Sequence, residues 1–120
     1  MRIQDLGELS GEIPVFGGPY SNLQALEALI ENAKGTLICT GDIVAYCGSP
    51  TAVVERMRCE NLHLIAGNCE KQLAARALDC GCGFEDGTTC DLLSASWYAY
   101  ANENVDAQSR DWMGDLPDII

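Results

Sequence analysis

The chain has 120 residues, 48% of them hydrophobic and 21% charged, which is the size of one domain and enough to bury one core. Seven Lys and Arg against eighteen Asp and Glu give a net charge of -11 with no basic cluster, so charge excludes nucleic acid as a partner. No stretch approaches the length of a membrane span, the acids of Met1-Arg2-Ile3-Gln4-Asp5-Leu6-Gly7-Glu8 do not suit a signal peptide, and seven irregularly spaced cysteines are expected to be reduced thiols in a cytoplasmic protein.

Residues 1 to 12 are polar and punctuated by glycine, and read as a lead-in whose Ile3, Leu6 and Leu9 touch a core without forming an element. Ile13-Pro14-Val15-Phe16 is the first predicted strand, with Pro14 near its start, where a missing N–H costs least. It runs into the turn Gly17-Gly18-Pro19-Tyr20-Ser21-Asn22, whose Ser21 or Asn22 caps a helix carrying Leu23, Ala25, Leu26, Leu29, Ile30 and Ala33 on one side. Gly35 ends that helix. Thr36-Leu37-Ile38-Cys39 reads as a buried strand that delivers Asp42 to its carboxyl end. Pro50 suits the first turn of a second helix, with Val53, Val54 and Met57 facing inward. Leu62-His63-Leu64-Ile65-Ala66 is the third strand, and after Gly67-Asn68 a helical stretch runs from Cys69 to Leu78.

This alternation predicts an α/β fold, a parallel sheet of right-handed βαβ units with flanking helices. Asp79 to Gly87 is too rich in glycine for a regular element and reads as a loop. Helical patterns follow from Thr88 to Ala101 and from Asp106 to Asp115, in which Trp97, Tyr98, Tyr100 and Trp112 read as core or interface. Asp118-Ile119-Ile120 looks like a strand beginning. A three-stranded parallel sheet would leave apolar edges open, so the chain is expected to be one domain over residues 1–120, incomplete at its carboxyl end or associating with a second copy.

Three strand ends carry polar turns, at Gly17 to Asn22, Gly41-Asp42 and Gly67-Asn68-Cys69-Glu70, on the sheet edge where ligands of α/β folds gather. In order and spacing these turns resemble the motifs of the calcineurin-like metallophosphoesterases: an Asp-x-His-Gly-Asn turn, a Gly-Asp, and a Gly-Asn-His-Asp or Gly-Asn-His-Glu. The similarity is greatest to the bacterial branch in which the second motif continues Gly-Asp-x-Val-x-Tyr-Gly-x-x-Pro, here Gly41 to Pro50, and it covers most of residues 13 to 78. The resemblance implies the amino-terminal half of that fold. It also implies cleavage of a phosphorylated small molecule or other phosphoester by two divalent ions, of manganese, iron, zinc or magnesium.

Carried over by position, the resemblance makes Asp42 the carboxylate that bridges the two ions and Asn68 a ligand of the second ion through its amide oxygen. Hard cations prefer such oxygen donors. Cys69 stands where the family has the His that binds phosphate and protonates the leaving group, while Asn22 and Tyr46 support the phosphate or the loop. Aligning Asn22 with the Asn of the first motif puts Gly18 in place of a metal-binding Asp and Tyr20 in place of a His. The family takes further His ligands from a carboxyl-terminal half, and the lone His63 lies inside a strand pattern.

Other readings stay open beside this one. Asp42 also suits a turn after a strand, and Asn68 a helix N-cap. Cys47, Cys69, Cys80, Cys82 and Cys90 would form a thiolate metal or redox site on the same scaffold if they converge, with Cys39 and Cys59 left as core residues. A third reading is a degenerate domain that only recognises a partner.

Overall fold

In the computed structural model, which describes residues 1–120, three strands form one parallel sheet in the order β1 (Val15–Phe16), β2 (Ile38–Cys39), β3 (His63–Leu64). Val15 pairs with Ile38, and Ile38 with His63. The regular strands are shorter than predicted, but ladder bonds continue on either side of them, from Thr36 N–H to Glu12 O, Thr40 N–H to Phe16 O and Ile65 N–H to Cys39 O. Each strand leads directly into its turn, because the hydrogen bonding passes from strand to loop without a gap.

Helix α1 (Leu23–Asn32) begins where Asn22 Oδ1 accepts the Ala25 N–H at 3.0 Å. Helix α2 (Pro50–Cys59) starts on Pro50, whose fixed φ suits a first turn, and buries Val53, Val54 and Met57. Cys59 lies exposed at the end of α2, not in the core, because two residues beyond Met57 is about 200° round the helix. Helix α3 (Asn68–Ala74) stops before the predicted Leu78, since Arg76 takes φ 54 and turns the chain outward. Helices α4 (Thr89–Asn104) and α5 (Ala107–Gly114) complete the fold. Ile43, Val44, Val53, Val54 and Leu73 are fully buried, so the core centres on the loop after β2 and the helices packed on it. Buried Arg110 of α5 donates from Nη1 to Leu73 O at 2.6 Å and from Nη2 to Asn102 O, tying α3, α4 and α5 together.

The first residues are more than a lead-in. Ile3 forms a parallel bridge with Ile119, the Gln4 N–H donates to Ile119 O at 2.9 Å, and the Asp118 N–H donates to Arg2 O at 2.8 Å. The Ala66 N–H, just after β3, donates to Pro117 O at 2.8 Å, and Lys71 pairs with Asp118 at 2.6 Å. The β3 side of the sheet is therefore met by the chain's own end segments, whereas β1 remains an edge with Val15 exposed. No helix is long and apolar enough to cross a membrane.

Candidate functional site

The three strand-end turns interlock through their backbones. Gly18 N–H donates to Gly41 O at 3.1 Å, Tyr20 N–H to Asp42 O at 3.3 Å and Ser21 N–H to Ile43 O at 2.8 Å, which lays the first turn along the second. Gly41, at φ 100, touches the third turn so closely that a Cβ there would collide with the Gly67 backbone, and a Cβ at Gly67 would land on the Asp42 carboxylate. Asp42 Oδ1 in turn accepts the Cys69 N–H at 3.4 Å. Asp42 and the Gly67-Asn68 turn thus share one rim.

A residue that sequence reasoning missed holds this rim together. Glu70 is fully buried, with Oε2 accepting the N–H groups of Asp42 and Gly67 and Oε1 accepting that of Ile43, each at 2.8 Å. Burial pushes its carboxyl up from the ordinary range, and the N–H groups of Asp42, Gly67 and Ile43 oppose that rise only in part. The available signal was its place three residues after Gly67, where an acid at the third position of a helix reaches back to the cap.

Backbone strain concentrates here as well. Tyr20, Ser21, Asp42 and Tyr46 lie in the left-handed region at φ 52, 57, 56 and 31, and such residues collect where surrounding bonds force an unfavourable conformation.

The predicted residues fare differently within this frame. Asp42 is half-buried, and only its Oδ1 is engaged. Exposed Asn68 donates from Nδ2 to Cys80 O at 2.8 Å and to Cys82 Sγ at 3.7 Å, which leaves its amide oxygen uncommitted. Cys69 is buried, and its thiol is pushed far up by burial and by the charges of Asp42 and Glu70, so it stays protonated and is a weak acid beside an imidazolium. Asn22 spends its side-chain oxygen on the α1 cap. Tyr46 is exposed and packs against Tyr20 edge-on, with ring centroids 5.5 Å apart. The Tyr20 ring folds back over Gly18, with its Cζ 2.6 Å from where a Cβ would stand, so it fills the space of the missing side chain. His63 sits in β3, away from the turns.

The thiolate alternative is not assembled. Cys80 and Cys82 are bonded to each other in a disulfide, which corrects the expectation that all seven cysteines are reduced. Cys47 and Cys90 are exposed and free, Cys69 is buried, and no three His, Cys, Asp or Glu side chains gather where they could hold a metal ion. Placing cysteines near one sheet edge did not settle where their sulfurs point.

A metallophosphoesterase from Sphaerobacter thermophilus superposes with a TM-score of 0.62 at 22% identity, over 88% of this chain and 41% of that one. The chain has the metallophosphoesterase fold. A putative diadenosine tetraphosphatase matches with a TM-score of 0.66 at 16% identity, over 97% of this chain and 47% of its own. The chain therefore spans less than half the length of either structure. No protein-family profile matches the sequence, and neither does any curated protein.

In the metallophosphoesterase fold the resemblance calls for two divalent ions, and the residues present do not fit a pair. Gly18 offers no donor, and the Tyr20 ring covers it. What remains is the free carboxylate oxygen of Asp42 and the amide oxygen of Asn68, on adjacent turns. Both are donors of the kind that hard cations prefer.

Proposed function

We propose that this chain is a phosphoesterase-type domain that takes a phosphorylated small molecule at the rim of Asp42 and Asn68, with one divalent ion and without two-ion hydrolysis by its own residues. The reading is carried by the Glu70 carboxylate, which ties the Asp42 turn to the Gly67-Asn68 turn with three N–H bonds. The name of the tetraphosphatase neighbour adds support for a phosphorylated small molecule. In a chain of net charge -11, a phosphate group needs a cation beside it.

A magnesium- or manganese-type ion would neutralise phosphate oxygens there, whereas zinc and iron favour the imidazole and thiolate donors that the rim lacks. Asp42 and Asn68 would hold that ion through their uncommitted oxygens, Glu70 ties their two turns together, and the Tyr20 ring fills the space beside Gly18. Cys69, held as a thiol, does not replace a proton-donating imidazole. Residues 1–120 act as one domain in this reading.

The test is a Mn2+ titration followed by electron paramagnetic resonance. One ion per chain is expected, with binding at least tenfold weaker in Asp42→Asn and inorganic phosphate binding only when Mn2+ is present. Turnover of an aryl phosphate should stay at background. Two bound ions, no bound ion, or Asp42→Asn binding as well as wild type would each overturn the proposal.

A further inference from the structure

Beyond the rim, the loop after Asp42 and helix α4 line an open groove of about 390 Å³. Leu93, Ser96, Trp97 and Tyr100 recur at the spacing of one helix face, so a single side of α4 forms one wall, and Tyr46 stands on the other. Tyr46 and Tyr100 are 51% and 48% exposed, whereas Trp97 beneath them is 7% exposed. The rings are held in advance: Tyr46 packs on Tyr20 at 5.5 Å and on Trp97 at 5.7 Å, and the Tyr100 hydroxyl donates to Gly48 O at 3.1 Å. A ligand meeting them pays little to order them.

We propose that this groove binds a quaternary organic ammonium group through the exposed rings of Tyr46 and Tyr100, over the exposed margin of Trp97. Aromatic faces carry negative potential and attract weakly hydrated cations, most strongly where water is displaced. Charge favours this occupant over an anion, because no Lys or Arg lines the groove and the chain carries -11 overall. The inference goes beyond the phosphoester reading and uses neither Asp42 nor Asn68. Loss of Mn2+ binding leaves it intact, and its own failure leaves the rim untouched.

The probe is choline, titrated into Trp112→Phe protein so that Trp97 is the sole tryptophan and is excited selectively, with sodium chloride matching the ionic strength. Its neutral isostere 3,3-dimethylbutan-1-ol, which keeps the shape and the hydroxyl but lacks the charge, serves as the control. Choline should give a saturable change and bind about 2- to 30-fold more tightly than the isostere. Tyr46→Ala should weaken choline at least threefold, while Tyr46→Phe, which keeps the ring, should bind like wild type. Tyr46→Phe also separates loss of the site from loss of the fold. Equal binding of the neutral isostere, the absence of a saturable response, or an unchanged affinity in folded Tyr46→Ala would overturn the proposal.

Discussion

Replacing Glu70 tests whether one buried carboxylate holds the rim. In Glu70→Gln the single amide oxygen can keep the position that now serves the Asp42 and Gly67 N–H groups, but the amide nitrogen then faces the Ile43 N–H, donor against donor. One buried N–H is orphaned, at a cost of about 1–3 kcal/mol. Glu70→Ala orphans all three N–H groups, and water entering the vacated space recovers only part of the loss, so about 3–6 kcal/mol is expected. Against a typical total of about 5–15 kcal/mol, the alanine variant verges on unfolding. Urea unfolding followed by tryptophan fluorescence reads both values, and at about 4 °C per kcal/mol for a chain of this size the Gln variant should melt about 4–12 °C lower. The reasoning fails if Glu70→Gln lies within about 0.5 kcal/mol of wild type, or if alanine costs no more than glutamine.

Gly67→Ala would drive a methyl into the Asp42 carboxylate and backbone, so it should lower stability by more than about 1 kcal/mol and abolish Mn2+ binding; calorimetry and the resonance titration check both. A thiol-specific chromophore should label Cys47, Cys59 and Cys90 quickly in the native protein, add the buried Cys39 and Cys69 on unfolding, and reach Cys80 and Cys82 only after reduction, which mass spectrometry can count. Burial raises the Cys39 thiol from 9.0 to about 11. The neutral thiol therefore contributes stability that is fully present below pH 9.0 and is lost as pH rises through about 11. Between pH 8 and 10.5 this amounts to about 2 kcal/mol, and Cys39→Ala should flatten the alkaline fall in unfolding free energy, read by urea titration, by that amount.

Much of the architecture was legible because each strand is a short apolar run that ends in a glycine. The turns at Gly41-Asp42 and Gly67-Asn68 could be placed side by side once the strands were taken as parallel, and a cap at Ser21 or Asn22 followed from the apolar spacing after it. What stayed hidden depends on the direction of side chains or on distance along the chain. Glu70 looked like part of a motif, and its burial under three N–H groups appears only when the turns meet. Cys59 followed the hydrophobic composition of α2 yet fell on its outer side. Of the five cysteines of the thiolate reading, Cys47 and Cys69 share a sheet edge in sequence terms and Cys80, Cys82 and Cys90 follow in a nearby loop and helix start, but Cys80 and Cys82 bond to each other and the others face different surroundings. Arg110 gave no local sign that it would reach the carbonyls of Leu73 and Asn102. The bridge between Ile3 and Ile119 has no local signature at all, since its partners lie at opposite ends of the sequence.

That bridge governs the order of events during folding. Gln4 must wait for Ile119 before its N–H finds a partner, and closing so long a loop carries an entropic cost that no early contact offsets. On a ribosome, β1, β2 and β3 can come together while the margin beyond β3 stays bare, and that backbone is available to other nascent chains until residue 119 has left the tunnel. Slowing translation between the codons for β3 and for residue 119 would lengthen this vulnerable interval, whereas slowing it before β1 would not.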